Sequence, residues 1–451
     1  MLVVISDLHF EEERSCAIES NGRRIEVDGN IGPRAFHLFI DSIEQLALRN
    51  NAERIDLVLA GDVFDLNRTC LWFEEGADGP RPYVSCADVG DGSELERKLL
   101  RILDGIATEP RVEPSLAALR RLGAGGQPVD VMRHYLPGNH DRLINATPAL
   151  RARARALLGM DGGDAPFPHQ FLSADPRVLV RHGHEYDHLN FAGDHRRTRI
   201  IPAQLPDAEY DALAFGDIVT VDIASRLPWQ FVQHHGAEAI LGSALLSDVY
   251  VRLLDFDDVR PNSALLDFLL RTPGHGEAKV WRTVAPVLRD ILADLNRRPV
   301  VRKMLKRLPL LVRGLVENLM ESSARGQTVS HREIRVTEKL AELLPGGGAG
   351  PAEFAAREAV IRDGTARFVI CGHTHHPEVT LLAPKPPLER YYVDTGTWRH
   401  RIPATKDISG FGRIKALSYA VVWASREDPT ADGRPKTESL DYWDGVTQRW
   451  S

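Results

Sequence analysis

The chain has 451 residues, is 43% hydrophobic and 26% charged, and carries a formal net charge of −7. That balance excludes disordered, fibrous and collagen-like classes. It also argues against a general nucleic-acid coat, while leaving room for a local basic patch. The length fits two or three domains, or one domain with a large insertion.

Leu2 to Ser6 reads as a first core strand and runs into Asp7-Leu8-His9. No charged n-region, longer apolar stretch and cleavage site precede it, so no removable signal peptide is expected. Ala35 to Arg49 has helical periodicity. Ile55 to Ala60 is a second buried strand and ends in Gly61-Asp62-Val63-Phe64-Asp65. From Asp65 to Ser93, six Gly and Pro residues are mixed with Trp72, Phe73 and Tyr83, the pattern of a long loop beside a site. Glu94 to Ile106 is again helical. Val131 to Leu136 leads into Gly138-Asn139-His140-Asp141, and Val178 to Arg181 into His182-Gly183-His184.

Past about Ile200 the pattern changes to helix. Ala208 to Arg226, Glu238 to Leu254, Ser263 to Arg271, Val284 to Asn296 and Val300 to Glu321 carry apolar residues at three-to-four spacing. Gly346 to Pro351 reads as a flexible hinge. Strand signals return at Phe368 to Cys371, which precedes Gly372-His373-Thr374-His375, and at Tyr391 to Asp394 and Ser418 to Trp423. The expected organisation is a core in two parts, 1–199 and 346–451, with a helical insertion or cap at 200–345. No uncharged apolar run is long enough to span a membrane; Leu308 to Val316 comes nearest, and Arg313 interrupts it. Cys16, Cys70, Cys86 and Cys371 form no C-x-x-C pair, so neither a zinc-ribbon nor a thioredoxin motif is present. A chain of this length with so few cysteines needs no disulfides, and a reducing, cytoplasmic location is expected.

The five motifs supply carboxylates, imidazoles and one amide. Divalent metals of hard or borderline character take such oxygen and nitrogen donors. In an extended strand end, Asp7 and His9 share a side because they are two residues apart, and His373 and His375 repeat that spacing. Asp62 has two carboxylate oxygens and can bridge two ions; Asn139 offers a neutral carbonyl oxygen. Each residue alone has an ordinary structural reading, since an Asp after a strand is usually a cap or turn residue. The ordered set of five does not.

In that order the motifs resemble the calcineurin-like metallophosphoesterase superfamily: D-x-H, G-D, G-N-H-D, G-H and G-H-x-H. The resemblance covers roughly 1–195 and 365–424. It implies an α/β (α+β) fold, a β-sandwich flanked by helices, here with a mostly helical insertion. It further implies that Asp7, His9 and His375 hold one metal, that Asn139, His182 and His373 hold a second, and that Asp62 bridges them. His140 would stabilise the transferred phosphoryl group or protonate the leaving oxygen. Asp65 matches the carboxylate that orients this histidine, and Asp141 competes for that task. His184 is the alternative to His182 as ligand. Asp187, His188, Asn190 and His376 adjoin the motifs; Arg142, Trp398 and Arg399 read as surface packing.

The implied reaction is hydrolysis of a phosphate ester, phosphodiester or phosphoanhydride by a metal-bridging hydroxide. Mn²⁺ is the expected metal of the pair, and Mg²⁺, Fe or Zn²⁺ suit the same donors. The substrate would be a phosphorylated small molecule or a nucleotide-like one. The fifth motif and Asp394-Thr395-Gly396-Thr397-Trp398 look like those of UDP-2,3-diacylglucosamine hydrolases, but these are shorter and carry arginine where this chain has His140. The second and third motifs look like those of DNA-repair exonucleases of the superfamily; the acidic balance and the large insertion weigh against that reading. A catalytically silent binding scaffold is the reading from another class, and five intact motifs weigh against it. One stretch stands outside this scheme. Arg297, Arg298, Arg302, Lys303, Lys306, Arg307 and Arg313 fall within a segment containing no acid, with apolar residues at helical spacing. It reads as a solvated helix face, a funnel for an anionic substrate or an interfacial helix.

Overall fold

Leu2-Val3-Val4-Ile5 has no polar side, so both its faces must be covered. The structure, a computed structural model, describes residues 1–445 apart from 27, 77–78, 125–128, 309, 336–349, 384–388, 416 and 428–437. Its first half contributes β1 (Leu2–Ile5), the hairpin β2 (Ile18–Ser20) and β3 (Arg23–Ile25), β4 (Arg54–Ala60), β5 (Asp130–Leu136), β6 (Gln170–Ala174) and β7 (Arg177–Arg181). Its second half contributes β8 (Val259–Arg260), β9 (Phe368–Cys371), β10 (Glu378–Ala383), β11 (Arg390–Asp394), β12 (His400–Pro403), β13 (Ile414–Lys415), β14 (Leu417–Trp423) and β15 (Ser439–Gly445).

Two five-stranded sheets result, in the orders β15-β14-β1-β4-β5 and β10-β11-β9-β7-β6. In each sheet three neighbouring strands run parallel: β1, β4 and β5 in one, β7, β9 and β11 in the other. Leu2, Val4, Val58 and Leu136 meet Val178, Val180, Phe368 and Ile370 in the layer between the sheets. The alternate residues Val3, Ile5, Leu57 and Leu59 face Phe36, Ile40 and Ile43 of α1 (Pro33–Arg49) and Leu99, Ile102 and Leu103 of α2 (Glu94–Ala107). This is a β-sandwich flanked by helices, with both sides of β1 covered. Its consequence for the site is that β1, β4, β5, β7 and β9 all run into a motif at their C-terminal ends.

The edge strands β6, β10 and β15 have no counterpart in the sequence reading. Half-exposed edge strands lack the continuous apolar run that marks a central strand. The segment after Asp65 is a loop with two short 3-10 turns, and it is not superficial: Trp72, Phe73 and Tyr83 are buried. Between Asp207 and Ala324 the chain is mostly helical. The stretch read as one helix from Ala208 comes as Asp207–Asp211 and Phe215–Val219, followed by a π-helical turn and Arg226–His235. The stretch from Val300 comes as Pro299–Leu305 and Leu310–Ala324, with Pro309 of the sequence in the gap. This region is tied into the core. β8 pairs in parallel with β12, the Tyr250 hydroxyl donates to Cys16 O (2.6 Å), and Trp229 packs on Phe73. The expected hinge at Gly346–Ala349 lies outside the described residues.

The cysteine reading needs correction. Cys16 and Cys70 form a disulfide, with Cα atoms 5.4 Å apart and a sequence separation of 54. It joins the loop after β1 to the loop after β4. Spacing carries no signal for such a pair, because tertiary proximity alone brings the two together. Cys86 and Cys371 are free and buried.

Candidate metal centre

The ligand-bearing loops are bent by their backbone. Asp7, His9, Asp62, His373 and His375 all have positive φ, from 43° to 72°. The D-x-H and H-x-H pairs therefore do not lie on extended strand ends, as strand alternation would have it. Left-handed backbone at non-glycine residues costs about 1–3 kcal/mol each and persists where the surroundings over-determine it. Here the Asp7 and His9 amides donate to Gly61 O and Asp62 O (3.0 and 2.9 Å), locking the first two motifs together. Glycine is needed where the loops touch: a side chain at Gly372 would strike Ser6 and the Asp7 carboxylate, and one at Gly61, with φ 89°, would strike His182.

These bends gather two sets of donors. The ligand atoms of Asp7, His9 and His375 lie within 4.8 Å of one another, as do those of Asp62, His182 and His373. His375 Nε2 is 3.4 Å from Asp7 Oδ1 and 2.9 Å from His9 Nε2. Asp62 Oδ2 stands between the sets, 3.7 Å from His9 Nε2 and 3.1 Å from His182 Nε2. Asn139 Oδ1 is 3.2 Å from His182 Nε2. Asp7 Oδ1 is buried with no hydrogen-bond partner, although Oδ2 accepts from the His373 amide at 2.9 Å. A buried anionic oxygen left unpaired beside imidazoles fits a cation ligand.

The imidazoles are also oriented from behind. His182 Nδ1 donates to Ala60 O (2.8 Å) and His9 Nδ1 donates to Asp65 Oδ2 (2.8 Å), leaving Nε2 of each for an ion. Asp187 Oδ2 is 3.2 Å from His373 Nε2, which leaves Nδ1. Burial would raise the Asp7 and Asp62 carboxyls, but neighbouring imidazoles, His182 foremost, hold both below the usual carboxylate range. Asp7, Asp62 and His182 are buried, whereas His140, His373 and His375 are 12–13% exposed and form the open side. A model of calcineurin-like phosphoesterases matches residues 1–260.

The chain belongs to the calcineurin-like phosphoesterase family.

No curated protein matches it. The family hydrolyses phosphoester bonds at a binuclear divalent metal centre, and the Asp and His groups described above could hold such ions. The match runs on through the first helices after residue 200 and stops short of the fifth motif. His373 and His375 lie outside the match, and the geometry brings them to the other donors. Among the described residues no helix is long and apolar enough to cross a membrane.

The two carboxylates competing for His140 separate cleanly. Asp65 Oδ1 is 3.0 Å from His140 Nδ1, so Asp65 links His140 and His9. Burial would lower the His140 pKa, but Asp65 and Asp62 raise it to about 10, so the ring is an imidazolium at neutral pH. His140 also falls in a third grouping with His9 and Asp62, but its Nδ1 is engaged by Asp65. Asp141 points elsewhere. It accepts from the amides of Val63 (2.8 Å), Phe64 (3.3 Å) and Gly138 (2.6 Å) and from the Tyr135 hydroxyl (2.6 Å), pinning the second motif to the third. Asp141→Ala would leave three buried amides and a phenol without an acceptor. A loss of about 3 kcal/mol in unfolding free energy is expected; a urea midpoint within 0.5 M of wild type at unchanged m, roughly 1 kcal/mol, would refute it.

The neighbours of the motifs have other positions than the sequence suggested. His184 is buried against Phe191 and Tyr210, and burial pushes its pKa down to about 3. Arg142, Trp398 and Arg399 are not surface packing. Arg142 is buried on Asp217 and the carbonyls of Pro82 and Val84; the Trp398 indole donates to Ser418 O; Arg399 pairs with Glu11 and Asp258. Asp187, which adjoins the fourth motif, backs His373. Two residues that the sequence reading did not single out also surround the site: Arg260 Nη2 lies 3.1 Å from His375 Nδ1, and Arg68 joins Asp257 and Asp258. Arg260 sits in β8, and the β8–β12 pairing together with the Arg68 and Arg399 ion pairs to Asp257 and Asp258 carries it to the site. Asp255, Asp258 and His400 form a further acidic grouping, but Arg413, Arg399 and Arg68 already neutralise its carboxylates.

Proposed function

We propose that this calcineurin-like phosphoesterase hydrolyses a phosphate ester, phosphodiester or phosphoanhydride at two divalent ions, with Mn²⁺ as the working pair. One observation carries the reading: the Asp62 carboxylate stands between two donor sets, 3.7 Å from His9 and 3.1 Å from His182, and its other oxygen accepts from the His140 amide at 2.8 Å. Asp7, His9 and His375 would hold one ion, Asn139, His182 and His373 the other, and Asp62 both. When bound, the ions neutralise phosphoryl charge and make water acidic enough to act at neutral pH. His140 does the work that needs a proton. Asp65 engages Nδ1, so Nε2–H is free to face the phosphoryl or leaving oxygen as acid or electrostatic clamp. Asp65 on Nδ1 favours the charged form of that ring. The partly exposed rim of His140, His373 and His375 leaves the approach open to a phosphorylated substrate.

The test is a hydrolysis screen of the Mn²⁺-loaded chain across aryl phosphomonoesters, aryl phosphodiesters, nucleotides and single-stranded DNA. Turnover that vanishes with chelator and returns with Mn²⁺ is expected on at least one small ester. Activity confined to DNA would move the assignment to an exonuclease, and a loaded but inert protein would leave the silent scaffold.

A further inference from the structure

The basic run noted in the sequence is not a uniformly solvated face. Arg298, Lys303 and Arg307 line a cavity of about 480 Å³ together with Arg81 and Tyr83 of the segment after the second motif. Asp88 is the one carboxylate among its described lining residues. The acids beneath do not cancel the charge. Among the described residues, Asp222 and Asp294 are shared by Arg81, Arg226, Arg297 and Arg298, so four guanidinium groups meet these two carboxylates. Lys303 and Arg307 form no ion pair among the described residues, and Arg307 reaches only Leu213 O at 3.4 Å.

Arg81 gives this charge a fixed position. It is 5% exposed, its guanidinium stacks on Phe73 at 5.0 Å, and its terminal nitrogens donate to the carbonyls of Gly76 (2.9 Å) and Pro80 (3.2 Å). Its Nε faces Asp222 Oδ1 at 4.0 Å, so the guanidinium is held by its own surroundings. Lys303 and Arg307, which form no ion pair among the described residues, are the cations of this cavity left for an anion. Leu213, Val300, Met304 and the Tyr83 ring supply apolar lining. The volume lies in the range of small-molecule sites, roughly 300–1,000 Å³.

We propose that this cavity binds a nucleotide-sized organic phosphate carrying at least two negative charges, at a site separate from the metal centre. Lys303 and Arg307 take the phosphates, Arg81 adds positive charge from behind, and Leu213, Met304 and Tyr83 cover the apolar body. The ligand rests on the segment whose Pro82 and Val84 carbonyls hold Arg142, two residues beyond His140. A methylene-free polyanion fills only half of such a site, so the apolar body adds affinity over phosphate charge alone.

The probe is ATP, titrated into the full chain by equilibrium dialysis in the presence of chelator, so that no metal ion at the catalytic centre contributes. Saturable binding at one site is expected, tighter than that of inorganic triphosphate. The double variant Lys303→Glu/Arg307→Glu should weaken it by roughly tenfold or more, and Lys303→Ala/Arg307→Ala should shift it the same way. Arg34→Glu/Arg49→Glu, an equal charge change on exposed positions of α1, should leave it within about twofold. Absence of saturable binding overturns the proposal, as does equal weakening in both charge-reversed variants, which would make the attraction a diffuse field. Triphosphate binding as tightly as ATP would overturn the apolar half of the assignment.

Discussion

Asp62→Ala is expected to reduce turnover to background and to lower bound Mn²⁺ from two per chain to one or none. The carboxylate is 1% exposed and stands within 3.7 Å of His9 and 3.1 Å of His182, one from each donor set. Its removal also leaves the His140 amide without its acceptor. Asp62→Asn keeps the shape and removes the charge, so it separates metal loss from misfolding; it should fold like wild type and still bind fewer ions. Metal analysis after loading and desalting gives the stoichiometry. One ion per wild-type chain, unchanged in both variants, would refute the bridging assignment. Loading also has a pH direction. Burial lowers the His182 pKa, but Asp62 and Asp7 outweigh it and raise it well above the ordinary imidazole value. A cation must displace that proton, so apparent metal affinity should fall as pH falls.

His140→Asn is expected to cost roughly 10²–10⁴-fold in kcat while both ions remain bound, the range for removing an acid–base group. The reason is placement: Nδ1 is engaged by Asp65 at 3.0 Å, and the ring is on the open side of the site. Loss of metal together with activity would instead make His140 a ligand, as its proximity to His9 and Asp62 permits. Asp65→Asn should lower kcat less, because it weakens the orientation and charge of the imidazole without removing it. It also has a pH signature. Asp65 helps raise the His140 pKa, and activity that needs protonated His140 is present below that pKa and lost as pH rises through it. The alkaline limb should therefore move to lower pH in Asp65→Asn. A limb that stays in place would show that the proton measured there belongs to another group.

The residue types of the five motifs made the chemistry legible before any contact was known. Ligand identity is local information: Asp, His and Asn at the ends of Val- and Leu-rich runs are written in the chain, and central strands buried on both faces announce themselves as continuous apolar runs. The helices from Asp207 to Ala324 were accessible in outline from their apolar spacing, and the β-sandwich from the resemblance that the motifs carry, but the strand order was not. What the sequence left open depends on direction or on distance along the chain. Asp141 adjoins His140 in sequence and Asp65 lies 75 positions away, yet backbone packing aims the distant one at its ring and the neighbour at three amides. Positive φ at Asp7, His9, Asp62, His373 and His375 is imposed by interlocking loops from different strands, so local pattern points to extended chain where the structure is bent. Cys16 and Cys70, and Arg260 and His375, meet across 54 and 115 residues, and no spacing rule spans such gaps. The edge strands β6, β10 and β15 exist because a neighbour offers hydrogen bonds, which their own side chains do not encode. The sequence by itself determined which donors the site contains; only tertiary packing decided which way each one points, because orientation is set by contacts between segments far apart in the chain.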